Sequence, residues 1–308
     1  MNKDRNKKVI KDQVSIIIPT YNHGNYIGKC IESIICQTYN NWEAIIVNNN
    51  STDNTIEIIK NFNDNRISVL NINNQGIIAK SRNIGIQHAK GDYIAFLDSD
   101  DWWYSNKLDV IMSKKEDADF IYHHLDIYRN DKKTNKKHRV RPLKTPVFED
   151  LMINANAITN SSVVVKKNIL LKAGSLSEDV ELKAVEDYDL WLKISRVTNS
   201  FLLIPEYLGG YLISGSNSSN ISLEMIDKID AVYNKNVNYL NKKLKIQAYY
   251  TKEYTIGRYL FNLGSYSKAL NSFLRSRLSN SFEFKTKSYL MILLSIILKL
   301  IKGETKLK

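Results

Sequence analysis

Two acidic clusters are the residues in this sequence that could do chemistry. The first, Asp98-Ser99-Asp100-Asp101, sets three carboxylates within four residues, directly after an apolar run at 93–97. Two aspartates flanking one small residue can hold a divalent cation by hard oxygens and leave its other positions to phosphate oxygens. The second cluster, Glu186-Asp187, opens a segment in which Leu190, Trp191 and Ile194 recur at helical spacing. A carboxylate there could act as a general base toward a hydroxyl. Each cluster also has a plainer account. A lone D-x-D fits a solvated turn with a helix cap, and acids in a first helical turn fit the helix dipole. The surrounding elements decide.

Residues 14–18 predict a buried strand ended by Pro19-Thr20-Tyr21-Asn22, after which Ile27, Ile31, Ile34 and Ile35 recur as a helix. A second strand, 43–47, ends in Asn48-Asn49-Asn50-Ser51-Thr52-Asp53. Those residues suit the N-cap of the helix that Ile56, Ile59 and Phe62 continue. A third strand, 67–72, ends in Asn73-Asn74-Gln75-Gly76. A third helix over 77–89 carries Arg82 and is stopped by Gly91. The fourth strand ends at Asp98. Three β-α units and a strand predict an α/β fold with a Rossmann-like, mostly parallel sheet flanked by helices. Such a sheet delivers ligand chemistry at the carboxyl ends of its strands. Four polar clusters on one rim make a binding crevice, with Asp98 and Asp100 as its expected metal ligands.

The second half follows another pattern. Residues 119–128 predict a strand with His123 and His124 on opposite faces, where a structural or surface role fits better than a metal role. Residues 129–144 gather eight Lys/Arg against one acid, Asp131, as an exposed hairpin tip or loop, either merely solvated or in contact with an anion. Residues 147–153 predict a helix, 161–165 a strand, and Gly174 closes the helix that follows. The loop 175–184 leads to Glu186. From about 221 the chain turns helical. Residues 249–280 hold two short helical patterns joined at Gly264, which resemble a single tetratricopeptide unit, too little for an array. The expected division is a catalytic domain over 14–220 and a helical extension over 221–308.

Residues 289–301 are apolar except for Ser295 and Lys299. That run falls short of the ~20 residues a bilayer span needs. With Lys285, Lys287, Lys299, Lys302, Lys306 and Lys308 around it, the segment reads as an interfacial helix. Packing on the body of the protein is the alternative.

Composition bounds the partners. The 308 residues are 43% hydrophobic and 25% charged, ordinary for a globular chain. Lys+Arg of 44 against Asp+Glu of 32 gives +12, which suits nucleic acid, a phosphorylated substrate or an acidic membrane surface. No nucleic-acid-binding signature accompanies the charge, so nucleic acid is not expected. Cys30 and Cys36 fall on different faces of one helix, against a disulfide or a metal site. Residues 1–11 are charged and lack the apolar core of a signal peptide. The expected location is cytoplasmic, peripheral on the inner face of the membrane.

PTYN at 19–22, Ser-Thr-Asp at 51–53, SRNIG at 81–85, DSDDWW at 98–103 and EDYDLW at 186–191 occur in one order. That order and spacing resemble the family 2 inverting glycosyltransferases with the glycosyltransferase A-type fold, over roughly 14–219. The resemblance implies that Pro19, Thr20, Tyr21, Asn22, Asn48, Asn49, Arg82, Asp98 and Ser99 bind a nucleotide-sugar. Thr20 and Tyr21 would line the nucleoside pocket, Arg82 would contact the base or diphosphate, and Asp98 the ribose or sugar. Asp100, with Asp98, would ligate Mg²⁺ or Mn²⁺. Asp187 would be the catalytic base, with Glu186 orienting the acceptor.

Two departures stand out. Relatives usually read Asp-Asp where this chain has Asn48-Asn49; an amide still accepts through its oxygen, without the charge, so base identity is open. Relatives also often carry Tyr-Arg-x-His where this chain has Tyr211-Leu212-Ile213-Ser214. The implied activity is metal-dependent transfer of a hexosyl or N-acetylhexosaminyl group. It would move from a nucleoside diphosphate sugar to a hydroxyl of a surface polysaccharide or lipid-linked glycan acceptor, with a homo-oligomer left open. A nucleotide-sugar-binding scaffold is the rival outside catalysis. A nucleotidyltransferase is the rival enzyme, but it would want a Gly-rich basic phosphate loop, and PTYNHGNY has one glycine and no arginine.

Overall fold

The computed structural model describes residues 10–129, 132–138, 140–213, 222–279 and 281–302. Strands and helices alternate as β1 (Ile10–Thr20), α1 (Gly24–Ile35), β2 (Trp42–Asn48), α2 (Thr55–Lys60), β3 (Ile67–Asn71), α3 (Ile78–His88) and β4 (Gly91–Phe96). β1 pairs in parallel with β2 and β4, and β2 in parallel with β3. Their near-continuous apolar runs follow from burial on both faces. Ile16, Ile18, Ala44 and Ile46 pack with Ile27, Ile31 and Ile34 of α1. On the other face α3 comes so close that a Cβ at Gly85 would lie 2.7 Å from Ile17. Thr20 lies opposite Asn48, and Asn48 opposite Asn71, so the polar strand ends align on one rim as expected.

Beyond β4 the sheet is mixed. The elements are β5 (Trp102–Trp103), α4 (Lys107–Met112), β6 (Phe120–Arg129), β7 (Lys132–His138), α5 (Val147–Asn154), β8 (Val164–Lys166), α6 (Lys167–Ala173), α7 (Glu186–Ser195) and β9 (Phe201–Leu212). The sheet order is β3-β2-β1-β4-β8-β6-β9-β5, with β7 paired to β6. β8 runs antiparallel to β4 and β6, β9 parallel to β6, and β5 antiparallel to β9. The strand expected over 161–165 is instead a 3-10 turn, Asn160–Ser162, followed by β8. Gly174 ends α6 in the left-handed region, φ 89°, as its position implied.

The histidines have structural roles. His123 is fully buried, with Nδ1 2.8 Å from the His124 carbonyl oxygen, and burial lowers its pKa to about 3. His124 packs on the Tyr207 ring. The basic stretch is a hairpin arm, since β7 pairs antiparallel with β6, although residues 130–131 and 139 lie outside the described residues. Cys30 is buried in α1 and Cys36 exposed; both are free thiols.

Lys107 at the start of α4 is fully buried. Its Nζ lies 3.4 Å from the Trp103 ring centroid and has no hydrogen-bond partner among the described residues. Burial holds the amine well below its ordinary 10.5. Below that pH the unfolded chain binds this proton more readily than the folded one, so stability falls as pH drops, until the folded amine itself protonates. Lys107→Met is therefore expected to be at least as stable as the parent at neutral pH, with a flatter dependence of melting temperature on pH. A lower melting temperature across the whole alkaline range would instead make the amine a net stabiliser.

The chain divides into two compact units. The first holds the sheet and comprises the described residues of Met1–Pro142, Ile158–Glu178 and Arg196–Ser214. The second joins Leu143–Ala157 and Asp179–Ser195 to the described residues of Gly215–Lys308. It contains α5, α7, α8 (Glu224–Asn236), α9 (Lys242–Asn262), α10 (Tyr266–Ser276) and α11 (Phe282–Lys302). Its core is Tyr254, Ile256, Leu260, Ala269 and Phe273. α9 and α10 form the expected helical hairpin, turning at Gly264 with φ 75°.

Candidate active site

Thr20 closes β1 with its side chain 4% exposed, and its Oγ1 has no hydrogen-bond partner among the described residues. Tyr21, next along, is 53% exposed on the rim. Asn22 takes a left-handed conformation, φ 50°, and its Oδ1 accepts from Thr52 N at 2.8 Å. Its own N–H donates to Ser51 Oγ at 2.9 Å. The PTYN turn is thereby laced to the turn after β2.

Asn48 is buried, and its Nδ2 donates to Asn71 Oδ1 at 2.8 Å. Its Oδ1 accepts from Ser51 N at 3.2 Å and Ser51 Oγ at 2.6 Å. Both lone pairs are in use, so Asn48 braces the strand ends and offers a base no oxygen. Asn49 Oδ1 accepts from Asn74 N at 2.8 Å, which also engages the oxygen expected to read a base.

The carboxylate turn follows β4. Asp98 Oδ1 accepts from Arg82 Nη2 at 2.7 Å and from Asn160 Nδ2 at 2.9 Å. Arg82, expected on the base or diphosphate, is buried and ion-paired to Asp98. Ser99 is 2% exposed, with Oγ 2.7 Å from His23 Nδ1. Burial lowers the His23 pKa against the pull of Asp98 and Asp53. Asp100 is partly exposed, and its carboxyl is pushed up to about 7, first by burial and then by the charge of Asp98.

Asp101 differs from both. It is buried, with Oδ2 accepting from Ser161 Oγ at 2.5 Å and Oδ1 from Leu212 N at 3.0 Å. Burial and its two acidic neighbours push its carboxyl well above the ordinary range. The third carboxylate is a strut to the 3-10 turn and β9. Sequence reasoning missed Asn160, Ser161 and His23, because uncharged residues far along the chain and a lone histidine carry no motif.

The sequence profile of Glycosyl transferase family 2 matches residues 15–177. An Escherichia coli protein, UDP-Glc:alpha-D-GlcNAc-diphosphoundecaprenol beta-1,3-glucosyltransferase WfgD, is 36% identical over 188 residues, covering 60% of this chain and 71% of that one. The chain belongs to glycosyltransferase family 2. A Rickettsia bellii uncharacterized glycosyltransferase is 42% identical over 127 residues, 41% of this chain but 18% of that longer protein. Among solved structures, S. aureus TarS 1-349 in complex with UDP-GlcNAc has a similar fold: TM-score 0.66 and 17% identity, over 96% of this chain and 93% of that one. Mannosyltransferase PcManGT from Pyrobaculum calidifontis, in complex with GDP-Man and Mn²⁺, has TM-score 0.60 and 14% identity, over 94% of this chain and 86% of that one.

The glycosyltransferase carries its other acidic pair in the second unit, at the start of α7. Glu186 is 4% exposed, whereas Asp187 is partly exposed and accepts from Tyr188 N at 2.6 Å. Successive helical residues point about 100° apart, so one acid turns inward and the other outward. Leu190, Trp191 and Ile194 are fully buried, as their spacing implied. In the Tyr211–Ser214 stretch, Leu212 N serves Asp101, and Ser214 lies outside the described residues.

The turn fits a divalent cation. A carboxyl raised by burial and a like charge is relieved by a nearby cation. Asn160 Oδ1 adds a buried acceptor with no hydrogen-bond partner among the described residues, on the side chain that touches Asp98. Among the described residues no three His, Cys, Asp or Glu side chains are grouped to hold a metal. Asp100 and Asp98 would therefore share it with donor oxygens.

Proposed function

We propose that this glycosyltransferase moves one sugar, with inversion, from a nucleoside diphosphate sugar to a hydroxyl of a surface polysaccharide or lipid-linked glycan. The observation that carries the reading is the turn after β4, where Asp98 is fixed by Arg82 and Asn160 while Asp100 remains partly exposed. Thr20 and Tyr21 contribute the nucleoside side of the same rim. Mg²⁺ or Mn²⁺, when bound, neutralises the departing diphosphate. The acceptor oxygen attacks the anomeric carbon from the face opposite the nucleotide, the bond to the diphosphate breaks, and Asp187 takes the hydroxyl proton. Glu186, the neighbour expected to orient the acceptor, is 4% exposed. Three resemblances support the choice of ligands: WfgD is named for a diphosphoundecaprenol acceptor, TarS binds UDP-GlcNAc, and PcManGT binds GDP-Man and Mn²⁺.

The direct test is a panel of UDP-, GDP- and dTDP-sugars with and without Mn²⁺. One donor class is expected to bind and turn over, with loss on chelation. Purified protein that binds none of them would end this reading.

Peripheral membrane contact belongs to the same proposal and rests on α11. No described helix is long and apolar enough to cross a membrane. α11 packs Phe284, Met291 and Ile292 against the second unit's core, yet leaves Phe282 82% and Leu300 80% exposed. At about 100° per residue, Phe282, Leu293, Ile297 and Leu300 share the outer face, Ser288, Met291 and Ser295 the inner one, and Lys285, Lys287 and Lys299 lie between. Lysines bordering an apolar face suit an anionic lipid surface.

Leu293→Glu with Leu300→Glu is expected to abolish co-sedimentation with phosphatidylglycerol vesicles while sparing transfer to a soluble acceptor. Deleting the helix would be a poorer probe, since it strips cover from Tyr254 and Phe273. Vesicle binding unchanged by the double substitution would remove α11 from the account.

A further inference from the structure

Three strand-end turns meet at His23, and we infer that this histidine is a positioning residue. Through Nδ1 and Ser99 Oγ it holds the turn from Asp98 to Asp100 in the conformation that takes the cation and diphosphate. The last clause rests on the function proposed above; the hydrogen-bond relay itself stands without it.

His23 has little freedom of its own. Its N–H donates to Thr55 Oγ1 at 2.9 Å, and Thr55 N donates to Asp53 Oδ1 at 3.0 Å. Asp53 Oδ2 also accepts from Gly24 N at 3.0 Å, so the turn after β2 grips the two residues where α1 begins. A Cβ at Gly24 would lie 1.9 Å from Asn54 Oδ1 and 3.1 Å from Asp53 Oδ2, so a larger residue would make the turn after β2 shift. The His23 ring sits edge-on to Tyr26 at 5.6 Å between centroids, with Nδ1 2.7 Å from Ser99 Oγ.

Ser99 is the residue between the two expected ligands, and at 2% exposure its hydroxyl has little access to water. From behind, the same turn is held by Ser161 Oγ, which accepts from Asp98 N at 3.1 Å, and by Asp101 N donating to Asp98 O at 2.9 Å. His23 supplies the restraint from the side. Without it a buried hydroxyl loses its partner, and the turn must repack or open to water. Groups that orient metal-bearing segments without touching the metal commonly govern affinity.

Three variants of the full chain separate this role from others. An asparagine amide reaches the place of Nδ1, a glutamine amide the place of Nε2, and alanine neither. In ligand-free protein, hydrogen exchange over the peptide 97–103 is expected to lose protection in His23→Ala and His23→Gln and to keep it in His23→Asn. The Mn²⁺ needed for half-maximal UDP binding is expected to rise about tenfold or more in the first two and stay within about twofold in the third.

Exchange in His23→Ala indistinguishable from the parent overturns the inference. So does His23→Asn behaving like alanine, since the Ser99 link would then not be what matters. If His23→Ala does not fold, the asparagine–glutamine pair decides alone. A parent that binds no UDP with Mn²⁺ counts against a UDP donor, while the exchange result still rules on His23.

Discussion

Asp187→Asn is expected to leave nucleotide binding unchanged and to lower transfer by at least ~10²-fold. The amide keeps the size and shape of the carboxylate but is no base at neutral pH. The structure distinguishes Asp187 from Glu186: the first is partly exposed at the start of α7, the second 4% exposed. Glu186→Gln should accordingly lower stability more than turnover. Transfer rates and nucleotide calorimetry on both variants read the difference. Normal transfer by Asp187→Asn with a dead but folded Glu186→Gln would exchange the two roles. Normal transfer by both would put the base elsewhere. A parent that binds donor and never turns over would favour a binding scaffold.

The second large effect is expected from Asp100→Asn, which should abolish metal-dependent donor binding without unfolding the protein. Asp100 is the right carboxylate to change. Removing Asp98 would take away the carboxylate that pairs with the buried Arg82 guanidinium, and so would disturb the fold as well as the site. Removing Asp101 would take away the acceptor shared by Ser161 Oγ and Leu212 N, which ties the 3-10 turn to β9. Asp100, partly exposed and raised toward 7, is charged against the preference of its surroundings, so the neutral amide should fold at least as well. Calorimetry in Mn²⁺ checks it: nucleotide binding equal to the parent's would refute the metal assignment.

The first half of the fold was legible because each of its strands is an apolar run cut off by polar residues, a pattern that needs no tertiary information. β9 was not. Pro205 argues against a strand, yet it sits where the β6–β9 register slips between Ile204 and Tyr207, a position that needs no ladder hydrogen bond there. Gly209 and Gly210 look like a turn, but they are small because Trp102 lies against them: a Cβ at Gly210 would fall 2.3 Å from its ring. β5 is two residues long and has no period to detect.

In the candidate site, carboxylates announced themselves and their supports did not. DSDD reads as three equal acids, and only packing reveals that Asp101 points inward. Asn160 and Ser161 reach the turn from more than sixty residues away, through uncharged side chains. Asn48, the last residue of β2, and Asn49 were read as ligand contacts, whereas the Asn48 oxygen accepts from Ser51.

β5 has a consequence for solution behaviour. It ends the sheet, directly after the carboxylate turn, and pairs Trp102 and Trp103 with Gly210 and Gly209 of β9. A long edge strand is a template on which another molecule can add its own strand. Here the twelve-residue β9 is blunted by Pro205, which has no amide hydrogen, and by β5 across Gly209 and Gly210. Substitutions that dislodge Trp102 or Trp103 would therefore also uncover this edge and favour self-association when the protein is concentrated.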